Sequence, residues 1–119
     1  MSYVDGFLIP VPEASKNEYV RLAEVAASVF LDHGALEVVE TWGDDLMKGE
    51  VTDFYRAVKA EKGETVVLSW IVWPTKAARD EGNRKAMDDP RFASFAPNEI
   101  FNGKRMIYSG FQTILHRKA

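Results

Sequence analysis

Thr65 to Trp73, read as Thr-Val-Val-Leu-Ser-Trp-Ile-Val-Trp, are apolar at nearly every position. In an extended strand Val66, Leu68, Trp70 and Val72 share one side. Val67, Ile71 and Trp73 share the other, interrupted only by Ser69. A strand with one face in water alternates apolar with polar residues, so this segment predicts a sheet covered on both sides. Tyr3 to Val11 repeats the pattern. Tyr3, Asp5, Phe7 and Ile9 lie on one side, Val4, Gly6 and Leu8 on the other, and Pro10 and Pro12 are expected to close the strand.

The spacing then shifts to that of a helix. Ser15 with Glu18 predicts a capping box. Tyr19, Leu22, Ala23, Ala26, Val29 and Phe30 form one apolar stripe, with Gly34 as the stop. Ala35 to Trp42 predicts a second strand, 43–50 a loop, and 61–64 a turn; Phe54 to Lys59 fits either a short helix or an extension of the sheet. Thr75 is expected to cap a second helix whose Ala78, Gly82 and Ala86 allow close approach, and whose Arg79, Asp80, Asn83 and Arg84 form a solvated face. Asp89-Pro90 predicts a short helix anchored by Phe92 and Phe95. Asn102-Gly103 predicts a hairpin turn, and Met106 to Leu115 the last strand.

The order β-α-β-β-α-β is that of a ferredoxin-like α+β fold, here with an extra short helix and hairpin before the last strand. Such a fold lays an antiparallel sheet against helices on one face and leaves the other bare. Large apolar side chains, drawn from Phe7, Ile9, Trp42, Trp70, Trp73, Tyr108 and Phe111, are expected there. Leaving them wet would forfeit many kcal/mol at about 25 cal/mol per Å². The expectation is therefore a homodimer packed sheet on sheet.

The 119 residues suit one domain spanning 1–119. A net charge of −3 argues against a nucleic-acid partner, which asks for a basic face. The absence of cysteine removes disulfides and thiolate chemistry. No signal peptide and no membrane-length apolar run is seen, so a cytoplasmic protein is expected. His33, in the last turn of the first helix, and His116, in the charged tail, have no metal-ligand spacing, and no phosphate-binding glycine loop occurs. Neither a metal nor a cofactor is expected.

Candidate chemistry is sparse. Asp5, on a covered side of the first strand, is either one half of an ion pair with Arg56, Lys59 or Arg105, or a general base in a cavity. With Tyr108 it is the candidate catalytic group. Trp42, Trp70, Tyr108 and Phe111 either fill the core or line an apolar ligand pocket. Gly103-Lys104-Arg105 is either a solvated turn or an anion contact.

Several blocks resemble one family. They are Tyr3-Val-Asp-Gly-Phe7, Val51-Thr-Asp-Phe54, Ala57-Val-Lys-Ala60 and Ser69-Trp-Ile71 followed by Pro74. Asp89-Pro-Arg91, Gly103-Lys-Arg-Met-Ile-Tyr108 and Gly110-Phe111 complete the set. Together they resemble the YbaA-like bacterial family, domain of unknown function 1428. The resemblance implies a ferredoxin-like fold of the dimeric α+β barrel kind and implies no activity. Asp53, Lys59, Trp70 and Arg105 fall in matched blocks and join Trp42 as candidate ligand contacts. Three functions stay open: a small-molecule binding module, a cofactor-free monooxygenase- or isomerase-like enzyme acting on a small aromatic substrate, and, disfavoured by the charge, an RNA-binding protein.

Overall fold

A computed structural model describes residues 2–93 and 100–119. Four strands, β1 (Tyr3–Pro12), β2 (Glu37–Trp42), β3 (Glu64–Trp73) and β4 (Ile107–Gln112), form one antiparallel sheet in the order β2-β3-β1-β4. Helices α1 (Lys16–Asp32) and α3 (Lys76–Met87) follow β1 and β3, and single-turn helices α2 (Phe54–Ala57) and α4 (Pro90–Ala93) lie in the connections. The fold is the ferredoxin-like α+β arrangement expected from the order of elements. Phe95, expected to anchor the short helix, lies outside the described residues.

Register separates the two faces of the sheet. Opposite Trp73, Ile71, Ser69 and Val67 of β3 stand Tyr3, Asp5, Phe7 and Ile9 of β1, all on the helix side. Ile9, Val11, Val67, Ile71 and Trp73 are buried there. The opposite face carries Leu8, Leu68, Ile107 and Phe111, away from α1 and α3 and met only by the single-turn α2, whose Phe54 lies beside Leu8 and Leu68; Leu68 is 43 % and Phe111 58 % exposed. Trp70 and Phe111 therefore belong to the bare face. Phe7, Ile9, Trp42 and Trp73 belong to the helix side, because their register partners there are fixed by β3. Tyr108 pairs with Phe7 and stacks on it at 5.7 Å from the helix side.

Helix α3 sits close to the sheet because Gly82 has no side chain. A Cβ there would lie 2.2 Å from the Trp73 ring, well inside contact distance. Gly34 has φ 109° and stops α1 just beyond His33, as the left-handed cap predicts.

Several local expectations change. Ser15 makes no side-chain cap, because a 3₁₀ turn over Glu13–Ser15 runs directly into α1. The prolines do not end β1. From Ile9 to Pro12 that strand pairs with β3 alone, and a missing N–H is harmless along an unpaired edge. Asn102-Gly103 forms no hairpin turn. Asn102 has φ −85° and its side chain accepts from the Lys104 N–H, opening a 3₁₀ turn over Gly103–Arg105. On α3, Arg79 and Asn83 turn inward to the sheet, leaving the solvated face to their neighbours.

Candidate functional site

Between the sheet and α1 lies a cavity of about 360 Å³. Phe7, Ile9, Val38 and Ile71 form its floor, and Leu22, Ala23, Ala26 and Phe30 its helical wall. The alanines at one-turn spacing hold the helix off the sheet without filling the space. Met87 and Phe92 bound one end, Phe101 and Met106 the other. The segment carrying Phe92 is held to the end of α1: Asp89 meets His33 Nε2 at 2.9 Å, and Arg91 meets Asp32 at 2.9 Å. Arg91 holds the Asp89 carboxyl far below the ordinary range, with the His33 hydrogen bond adding to the effect.

Polar groups meet at one point of this lining. Tyr19, buried on α1, donates its hydroxyl hydrogen to Glu40 Oε1 at 2.7 Å. Glu40 stands opposite Ser69 in the β2–β3 ladder. Glu40 is exposed as a residue, and one of its carboxyl oxygens is held by the buried Tyr19. Loss of water there raises its pKa, against the hydrogen bonds from Tyr19 and Ser69. Burial, with the adjacent carboxylate second, pushes the Tyr19 hydroxyl far above the usual phenol range. The pair can therefore offer a desolvated carboxylate to something in the cavity, while Tyr19 stays a neutral phenol.

The residues singled out from sequence lie around this space and not in its lining. Asp5 is buried beneath α3. It accepts from Trp73 Nε1 at 3.0 Å and Asn83 Nδ2 at 3.2 Å, and pairs with Arg79, whose Nε lies 3.2 Å away but out of line for a hydrogen bond. Its cation is thus Arg79 and not Arg56, Lys59 or Arg105, because β1 faces α3 at that point. Asp53 caps α2 through the Arg56 N–H at 2.8 Å, which holds its carboxyl below the ordinary range. Arg105 grips Glu64 with both terminal nitrogens, at 2.7 and 2.8 Å, and donates to the Lys59 carbonyl at 3.0 Å. Lys59 itself is exposed, at φ 50°. Trp42 packs against Tyr19 with ring centroids 6.3 Å apart. Trp70 lies on the bare face, whereas Tyr108 edges a groove of about 310 Å³ beside Leu68, Ile107 and Phe111.

Sequence reading missed Glu40 and gave Tyr19 only a place in an apolar stripe. One signal was present: Ser69 breaks an otherwise apolar strand on the covered side, and its cross-strand partner is Glu40. Among the described residues no group of three or more His, Asp or Glu is placed to hold a metal ion.

Residues 2–103 match the family model described as "Protein of unknown function (DUF1428)". The chain belongs to the DUF1428 family. It is 50% identical over 115 residues to the uncharacterized protein YbaA of Escherichia coli strain K12, covering 97% of this chain and 98% of that one. The same figures hold for YbaA of Shigella flexneri. Solved structures extend the likeness to fold. A putative antibiotic biosynthesis monooxygenase from Bacillus cereus superposes with a TM-score of 0.62 at 13% identity, over 100% of this chain and 97% of that one. SnoaB, a cofactor-independent oxygenase from Streptomyces nogalater, gives 0.57 at 14%, over 97% and 95%. An uncharacterized NIPSNAP domain protein from Burkholderia xenovorans gives 0.56 at 8%, over 98% and 99%. This DUF1428 chain thus shares its α+β fold with these proteins, and at such identities the likeness carries no activity with it.

Proposed function

We propose that this DUF1428 protein binds a small, mainly apolar molecule in the cavity between α1 and the sheet, as a cytoplasmic homodimer. The observation that carries the reading is the cavity itself: an apolar space of about 360 Å³ whose polar groups converge at Tyr19 and Glu40. Small-molecule sites have this make-up, apolar walls with a few placed polar atoms. The homodimer rests on the bare sheet face, where Leu68, Ile107 and Phe111 form an apolar surface. No helix among the described residues is long and apolar enough to cross a membrane. The strand positions of the bare face carry no Lys or Arg, which argues against RNA lying there.

The neutral fluorophore N-phenyl-1-naphthylamine tests the cavity. Its emission is expected to rise on mixing with the protein, and Ala26→Leu, which fills the space, should suppress that rise at least severalfold. A folded protein that leaves the dye dark, or an Ala26→Leu variant that brightens it equally, would remove the reading.

An enzymatic role has one supporting observation. The raised pKa of Glu40 suits a group that accepts a proton from a bound substrate, so a cofactor-free reaction on a small aromatic compound is the second reading. The printed descriptions of the oxygenase-like structural neighbours agree with it at the level of fold alone. Turnover of a bound aromatic compound that Glu40→Gln abolishes while binding persists would favour this second reading over simple binding.

A further inference from the structure

The charges around the cavity are unbalanced. Among the described residues the buried and half-buried carboxylates have their own cations: Asp5 has Arg79, Asp53 has Arg56, Glu64 has Arg105, and Asp89 has Arg91. Glu40, more exposed as a residue, meets the cavity without one among the described residues. Its carboxyl accepts from Tyr19 and stands opposite Ser69 in the ladder, two neutral groups. Lys16, near the start of α1, sits over the Trp42 ring instead, at 5.6 Å. Among the described residues no Lys, Arg or His lines the cavity.

The polar corner is also one-sided in hydrogen bonding. Tyr19 spends its proton on Glu40, so it can offer a ligand only lone pairs. A carboxylate accepts about four hydrogen bonds, so Glu40 keeps capacity beyond what these two groups use. The corner therefore asks for a donor and repels an acid. At the corner stand Tyr19 itself and Phe101, whose ring centroid lies 5.9 Å away, while Phe7, Phe30 and Phe92 line the cavity beyond it. Faces of aromatic rings attract cations, and a carboxylate beside them adds to that attraction.

Resting on the reading that the cavity is a ligand site, we propose that its ligand is a hydrophobic amine bound in the ammonium form. Its charged end meets Glu40, its apolar body fills the space between the rings, and the ligand supplies the cation that the fold withholds. The ammonium charge offsets the loss of water that raises the pKa of the Glu40 carboxyl.

Three isosteric probes decide the matter at neutral pH: 2-naphthylmethylamine, 2-naphthylmethanol and 2-naphthoic acid, titrated calorimetrically into the full chain. The amine should bind roughly tenfold or more tighter than the alcohol, the acid more weakly than either. Glu40→Gln should remove the preference for the amine while leaving the alcohol's affinity within a few-fold. Tyr19→Phe, which leaves the carboxylate in place, should preserve it, and serves if Glu40→Gln does not fold. Equal or tighter binding of the alcohol or the acid, or a preference that survives Glu40→Gln, overturns the ammonium assignment and leaves the ligand cavity standing. Failure of all three probes, together with a dark naphthylamine dye, removes the cavity reading and this inference with it.

Discussion

Asp5 shows how one residue can be read correctly in kind and wrongly in place. A carboxylate on a covered strand face must find a cation or lose its charge, and that much follows from its neighbours in sequence. Its actual partners come from far along the chain: Arg79 and Asn83 on α3, and the Trp73 indole at the end of β3, 68 positions away. Asp5→Ala strands the Trp73 N–H with no acceptor and leaves Arg79 with the exposed Asp80 as its anion. We expect a loss of about 3 kcal/mol in urea unfolding. A fully stable Asp5→Ala protein would show that the carboxylate is not structural and would return it to the pool of functional candidates. Glu40 was harder to foresee, because an acid in a short strand beside Glu37 reads as an ordinary surface residue. Only the cross-strand register, which places it against Ser69, and the fold of α1, which brings Tyr19 over it, give it a role.

At the scale of elements, legibility followed locality. Strand β3, the stripe of α1, the Thr75 cap and the small-residue face of α3 all depend on spacing within one segment, and the structure repeats them. The capping box at Ser15 and the turn at Asn102 depend on how neighbouring segments approach, and there the expectations gave way. The Arg105 clamp is of this second kind, joining the turn before β3 to the turn before β4. The Arg105 guanidinium holds the Glu64 carboxyl below its ordinary value of 4.5. An acid whose pKa is lowered on folding lends stability above its unfolded pKa and loses it as pH falls through the folded value. Stability should therefore drain away below about pH 4.5 in part through this pair. Arg105→Ala should be less stable at neutral pH, with a shallower further fall on acidification. Urea midpoints at neutral and acid pH test this; parallel losses in both proteins would show that the clamp contributes nothing to the acid response.

For the molecule as a whole, the apolar count of β3 already required cover on two faces, and helices supply only one. What sequence could not say is which aromatic rings face which way, since a shift of one residue in register exchanges the faces. The proposed homodimer makes a firm demand on the bare face. Phe111→Asp or Leu68→Asp places a charge there, and in a two-fold interface every change occurs twice. Each lost apolar contact is worth about 1.5–3 kcal/mol, so dissociation should become easier by roughly tenfold or more for each variant. Sedimentation equilibrium reads this directly. A wild-type protein that sediments as a lone protomer at micromolar concentration would exclude the dimer.

The two prolines of β1 bear on a different hazard. Where β4 stops opposite Leu8, the rim of β1 has no strand partner from Ile9 onward; Phe101 and Met106 pack against its side chains, and Pro10 and Pro12 remove backbone donors from that stretch. A stray extended peptide, or a neighbouring molecule of the same kind, meets a ragged border instead of a template. Growth by adding strands end over end, the route to fibrils, is hindered at this border.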